Sequence, residues 1–207
     1  MFEQALHLNM IVEWRDKRGP ALETFGEPTG FGLQDRSRMS LFTHPQSHAH
    51  QMVHREGPGV NTNCQFLWWY PGSVSHVGIS GLDVLTGPMS GCLLVTFRLD
   101  GIVHAGHLGT DIDSVENTDN AWDAWQDWAG LNAHDVVGGF FPAKHWSEHL
   151  PMPRPGEAGA KIFGLMTAQG EFWSFLLYQQ IRAGIFRVAG KWRHPSLPLH
   201  EVIRRPG

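Results

Sequence analysis

Cys92 and His107 stand fifteen residues apart in "CLLVTFRLDGIVHAGHLGT", with His104 three residues before His107. A cysteine is a nucleophile as its thiolate, and a neighbouring imidazole can take the thiol proton or, as imidazolium, lower the thiol pKa from about 8.5. Such a sulfur attacks a carbonyl carbon. The preceding "GPMSGC" sets flexible backbone amides around Ser90 and Gly91, which suit the donors a developing oxyanion requires. The plainer reading is a cysteine serving as a small hydrophobe within an apolar strand. Spacing alone leaves both open.

The elements that would position these groups are two strands folded about Asp100 and Gly101, a pair that readily takes the positive φ angles of a two-residue hairpin turn. Antiparallel pairing from that turn sets Leu99 against Ile102, Leu94 against His107 and Cys92 against Gly109. Alternation puts Cys92, Leu94 and Thr96 on one face with Val103, Ala105 and His107. His104 belongs to the other face with Leu93, Val95 and Phe97. His107 is then diagonal to Cys92, about 7 to 8 Å away at the backbone and within reach of a long side chain. Geometry nominates His107 over His104.

Around this hairpin the chain reads as mostly β. Gly and Pro breaks divide the first sixty residues into irregular strands and loops, and "NCQFLWWYPG" and "VSHVGIS" read as strands ended by Pro71-Gly72 and Gly81. "IFGLMTA", Gln169-Gly170 and "EFWSFLLYQ" form a second hairpin, and "GIFRVAGKWR" a further strand. One helix is expected, "DNAWDAWQDWAG", capped by Asn117 or Thr118, stopped at Gly130 and packing Trp122, Trp125 and Trp128 on a sheet. The Gly/Pro-rich "MPRPGEAGAK" reads as a connection, and the segment C-terminal to it is too short for a separate core. The expectation is an α+β fold, a mostly antiparallel β-sandwich with a few peripheral helices, forming a single domain over residues 1–207.

Composition narrows the partners. With 42% hydrophobic residues the chain can bury a sizeable core, and with 17% charged residues and a formal net charge of −4 it offers no long-range attraction to phosphate backbones or anionic lipid. Neither nucleic acid nor membrane is expected as a partner. The sequence starts without the basic and apolar segments of a cleavable leader. Cys64 and Cys92 are expected as free thiols, since a chain of 207 residues needs no staple.

Three other clusters fit ordinary structural roles better than chemical ones. "THPQSHAHQMVH" gathers His44, His48, His50 and His54 without the Glu of a zinc helix, and reads as a histidine-rich loop with no physiological metal. Asp111, Asp113, Glu116 and Asp119 lack the ordered calcium loop, so they fit a helix N-terminus instead. The tryptophan stripe fits a core better than a ligand cage.

"MSGC", followed fifteen residues after its cysteine by "HLGT", resembles the L-S-G-C and H-x-G-T motifs of the cytotoxic necrotizing factors, bacterial toxins that deamidate a glutamine of host Rho GTPases. The match covers roughly twenty-five residues of 207, with Met89 in place of Leu. The same Cys/His fold occurs in the Burkholderia lethal factor and in the chemoreceptor glutamine deamidase CheD. The resemblance implies Cys92 as nucleophile, His107 as its histidine and Ser90 as the motif serine. By similarity to the lethal factor and CheD it implies Thr86, six residues before the cysteine, as the residue that orients the histidine. An upstream Val and Asn of the necrotizing factors would correspond to Val60 and Asn61 in "GVNTN", and the shorter interval of the lethal factor would select His104.

The implied function is a thiol-dependent protein-glutamine deamidase of the toxin or effector type, without cofactor or metal, acting as a monomer on a target protein such as a host GTPase or translation factor. Such a chain would be made in the bacterial cytoplasm and exported without a cleavable leader. A transglutaminase variant shares the chemistry. The alternative is a non-enzymatic β-sandwich that binds a partner through exposed tryptophans.

Overall fold

The first hairpin forms as its turn chemistry requires. In the computed structural model, β7 (Leu94–Leu99) and β8 (Ile102–Leu108) pair antiparallel about Asp100 and Gly101, whose φ angles are 51° and 78°. Two successive positive φ values are the type I′ geometry that follows the right-handed twist of the flanking strands. The register sets Leu99 against Ile102 and Leu94 against His107, as expected. The expected pairing of Cys92 with Gly109 does not form. Leu108 N–H bonds to Leu93 O, while Gly109 N–H turns to Ser73 O at 2.8 Å, so the ladder ends before the cysteine.

The residues described are 2–6, 8–9, 11–15, 33–34, 38–43, 61–67, 69–79, 81–181 and 185–206. His44, His48, His50, His54 and Val60 lie outside them. A short helix, α1 (Phe2–Ala5), precedes the strands, of which the remaining ones are β1 (Ile11–Arg15), β2 (Leu33–Gln34), β3 (Arg38–Thr43), β4 (Asn61–Leu67), β5 (Val74–Gly78), β6 (Val84–Met89), β9 (Val136–Phe140), β10 (Glu157–Met166), β11 (Phe172–Gln180) and β12 (Ile185–His194). They form two sheets. One has the order β2-β5-β8-β7-β9; the other closes on itself as β1-β12-β11-β10-β6-β4-β3. Pairing is antiparallel except for β4 with β6 and β2 with β5. The fold is thus α+β, a mostly antiparallel sandwich in which one of the two sheets is rolled into a barrel.

Alternation along the strands sorts the core into layers. Phe66, Leu85, Phe163, Leu165, Phe175, Leu177 and Val188 make one cluster, drawn from β4, β6, β10, β11 and β12, all strands of the closed sheet. Their neighbours Leu67, Val84 and Met166 join a different cluster with Cys92, Leu94 and Ala105 of the second sheet, which forms the layer between the two sheets. Leu93, Val95, Phe97 and Leu108 meet Trp122, Trp125 and Val202 on the far side, under α2 (Val115–Leu131) and α4 (Leu199–Ile203). The two faces of β7 therefore serve two different interiors.

Two sequence expectations shift. The tryptophan helix is capped by Ser114, not by Asn117 or Thr118. Ser114 Oγ accepts from Asn117 N–H at 3.1 Å, the side-chain cap that satisfies an orphan donor. Trp122 and Trp125 are buried as expected, and Trp125 Nε1 donates to Val202 O at 2.8 Å. The expected connection before the second hairpin is already strand: β10 starts at Glu157. The Glu157 carboxylate takes Arg187 Nε and Nη2 at 2.5 and 2.6 Å, both side chains are buried, and the bidentate pair ties β10 to β12. Cys64 and Cys92 are free and buried.

Candidate functional site

β6 supplies Thr86 to the layer between the sheets. Leu85 belongs to the barrel cluster and Val84 to the inter-sheet cluster, so the period of two sends Thr86 outward with Val84. β8 supplies His107 to the same layer from the other side, two residues on from Ala105. The two side chains meet there. Thr86 Oγ1 lies 2.7 Å from His107 Nδ1, and both residues are fully buried.

His107 Nε2 is buried and has no hydrogen-bond partner among the described residues. Removal from water disfavours imidazolium, and the pKa of His107 falls from 6.5 to about 3. Burial therefore holds the ring in its neutral form near neutral pH.

Cys92 lies just before β7 on the same inter-sheet side, 4% exposed and in the cluster of Leu94 and Ala105. Its Sγ accepts a hydrogen bond from Thr110 Oγ1 at 3.3 Å, and the thiol donates to Thr110 O at 3.8 Å. Burial pushes the thiol pKa up, against the opposing pull of hydrogen bonds from the Thr110 hydroxyl and from backbone at Thr110, Gly91 and Cys92. The residue types allow either a neutral imidazole that takes the thiol proton or an imidazolium that lowers the thiol pKa. The physical setting favours the neutral form of both groups, because burial disfavours imidazolium and thiolate alike.

The other singled-out residues fall as follows. Ser90 and Gly91 are exposed and line a cleft of about 280 Å³ together with Thr110, Asp111, Trp122 and Arg205. The sulfur is flanked by two of those residues, Gly91 in sequence and Thr110 by contact. Asn61 opens β4 and pairs with Phe42 of β3. His104 is on the opposite face of β8 from His107, stacked on Phe97 at 5.8 Å with Nδ1 2.8 Å from His76 Nδ1. Asp111 is a structural acid: its carboxylate accepts from Asp113 N–H and Asn117 Nδ2 just ahead of α2. Among the described residues no group of three or more metal-ligating side chains converges.

Thr110 was not assigned a role by sequence reasoning, and strict alternation explains why. If β8 continued, Thr110 would point away from His107 and Gly109. The strand stops at Leu108, and Thr110 N–H bonds back to Leu108 O at 2.9 Å, a three-residue turn that swings the hydroxyl onto the sulfur. Gly109 makes this possible. A Cβ there would sit 1.6 Å from Tyr70 O, so no other residue allows the backbone so close to the β4–β5 connection. Trp69 Nε1 then holds Thr110 O at 3.0 Å.

A larger cleft, about 380 Å³, lies between Glu171, Phe172, Arg193 and His194. It adjoins another hydroxyl and imidazole pair, Ser174 Oγ and His194 Nε2 at 2.7 Å. Ser174 is fully buried and its oxygen also accepts from Trp146 Nε1 at 2.8 Å, so this pair braces α3 (Lys144–Glu148) on the barrel wall.

No protein-family model and no curated protein matches the chain. Among solved structures the chain is similar to the C-terminal domain of CNFy from Yersinia pseudotuberculosis, with 10% identity over 93% of this chain and 88% of that one and a TM-score of 0.34. The chemistry open to the site rests on its own atoms.

Proposed function

We propose that the chain is a Cys/His protein-glutamine deamidase, with Cys92 as nucleophile, His107 as general base and acid, and Thr86 as the residue that orients His107. The observation that carries this reading is the Thr86 to His107 hydrogen bond. It fixes Nδ1 and leaves Nε2 without a partner inside the layer that also holds the sulfur. In the base role Nδ1 carries the proton and donates to Thr86 Oγ1, so the lone pair is on Nε2.

The reaction then runs from a neutral pair. Sγ attacks the carboxamide carbon while the thiol proton passes to Nε2, and the carbonyl oxygen becomes an oxyanion facing the amides around Ser90 and Gly91. Collapse breaks the C–N bond, and Nε2 returns the proton to departing ammonia. Water attacks the thioester with Nε2 as base, the C–S bond breaks, and glutamate and the thiol are released. An amine in place of water would give transglutamination through the same thioester. Only a small group on a flexible arm reaches a sulfur this enclosed, which fits the side chain of a protein-borne glutamine entering between Gly91 and Thr110. Conversion of Gln to Glu adds one negative charge to the target, enough to switch a surface as other charge-changing modifications do. The target in this reading is a protein outside the producing cell.

The test is intact mass and peptide mapping of host GTPases and translation factors after incubation with wild type and with Cys92→Ser. A gain of about 1 Da at one glutamine, present only with the thiol, is the expected product of thioester hydrolysis. The burial of Cys92 favours the second reading, an inert sandwich that binds a partner. No thiol-dependent mass change on any target would leave that reading standing and remove the first.

A further inference from the structure

We propose that Thr110 is a thiol-positioning residue that holds Cys92 Sγ through two contacts and stabilises the thiolate when the proton leaves. The inference rests on the reading of Cys92 as nucleophile. Its basis is a paired contact: the Thr110 hydroxyl donates to Sγ at 3.3 Å, and the Thr110 carbonyl receives the S–H at 3.8 Å. The two serve opposite states of the sulfur. The carbonyl holds the proton of the resting thiol, and the hydroxyl remains a donor once that proton is gone, when a hydrogen bond to charged sulfur is stronger than one to a neutral thiol.

The local backbone is built to keep Thr110 there. Gly109 is pinned at both ends, its N–H on Ser73 O at 2.8 Å and its carbonyl accepting from Gly72 N–H at 2.9 Å. Trp69 Nε1 occupies Thr110 O at 3.0 Å, and Thr110 N–H is taken by Leu108 O. With its backbone groups engaged, the residue has only its side chain left to move. Thr110 also lines the cleft beside Gly91, so the group that steadies the sulfur is part of the wall a carboxamide must pass.

The ionisable groups around the sulfur supply little competition. His107 is neutral, and Asp111 and Arg205 of the cleft carry opposite charges. The buried thiol, pushed up by desolvation, depends on neutral donors for whatever relief it receives, and the Thr110 hydroxyl is the largest of these.

The experiment is the rate of iodoacetamide alkylation of Cys92 at pH 8, followed on its own peptide so that Cys64 does not contribute. It compares wild type, Thr110→Val and Thr110→Ser. A lost hydrogen bond to a charged group corresponds to a thiol pKa about one unit higher, and the thiolate fraction then falls about tenfold. Thr110→Val keeps the side-chain shape and is expected to react about tenfold more slowly, whereas Thr110→Ser, which keeps the hydroxyl, stays within about twofold of wild type. Thiolate absorbance at 240 nm, against a Cys92→Ala background, reads the same midpoint independently of access. Where Thr110→Val does not fold, Thr110→Ala in that titration carries the same expectation of a rise of about one unit.

An unchanged rate or midpoint on loss of the hydroxyl, or a Ser variant displaced as far as Val, overturns the inference. A displaced thiol titration with no mass gain on any target removes the deamidase reading and leaves Thr110 in its place. A mass gain with an undisplaced titration does the reverse.

Discussion

Thr86 Oγ1 and His107 Nδ1 form a 2.7 Å hydrogen bond that joins the barrel to the five-stranded sheet through their buried interface. The two residues come from different sheets, Thr86 from β6 of the barrel and His107 from β8 of the five-stranded sheet. Thr86→Val keeps the volume and leaves a buried ring nitrogen without its partner, at a cost of about 1 to 3 kcal/mol. Urea denaturation reads that loss. Thr86→Ser is expected to recover most of it, and under the proposed function the Val variant should deamidate well below the Ser variant.

Acid is expected to destabilise the protein through its buried neutral imidazoles. His107 has a pKa of about 3 when folded against an ordinary value of 6.5, so between these limits the unfolded chain binds a proton that the folded chain does not. The contribution is complete above about pH 6.5 and is lost as pH falls towards 3. His194, lowered to about 4 by burial and by the nearby His145, acts in the same direction. Going from pH 7.5 to 5 should cost about 2 kcal/mol for His107 and less for the more exposed His194. Urea midpoints at the two pH values measure it. The gap should narrow in His107→Asn.

In the proposed deamidation, the pH dependence of the rate would separate a neutral pair from an ion pair. His107 is basic only above its lowered pKa, and Cys92 keeps its proton up to a raised one, so a mechanism using both neutral forms runs on a broad plateau. kcat/KM is expected to be level from about pH 5 to pH 8 on a substrate whose own groups do not titrate there. A narrow bell centred near neutrality would point to a thiolate and imidazolium instead.

Gly109→Ala is expected to be among the most damaging single substitutions in the molecule. The added carbon would fall 1.6 Å from Tyr70 O, a backbone atom that cannot rotate away, so β8 must part from the β4–β5 connection. A loss of more than about 4 kcal/mol is expected, in the range reserved for such steric conflicts. Yield of folded protein and thermal unfolding check this. Gly101→Ala, at an open turn with nothing near its Cβ, suffers only the strain of its positive φ and serves as the control.

The parts of the fold legible from sequence are those set by local chemistry. Asp100 and Gly101 specify a turn, the turn specifies a register, and the register decides which face His107 and His104 occupy. Ring closure was not legible, because it depends on β4 lying parallel to β6 across an intervening strand of the other sheet, a contact that no short pattern encodes. The start of α2 was displaced because Ser114 lay hidden among acids that resembled a loop. At the site, Thr86 was singled out by resemblance, since nothing in its own surroundings marks a threonine on one sheet as the neighbour of a histidine on another. Thr110 escaped because a strand-based alternation fails where the strand ends.

The division of the site between two sheets ties chemistry to assembly. Before the layers dock, His107 is an ordinary hydrated imidazole with a proton at mildly acidic pH, Cys92 an ordinary thiol, and Thr86 is remote from both. Only the finished interior takes the water from all three at once. In a chain held unfolded these surroundings do not exist, so the raised thiol and the lowered imidazole appear together only at the end of folding and are late reporters of complete maturation.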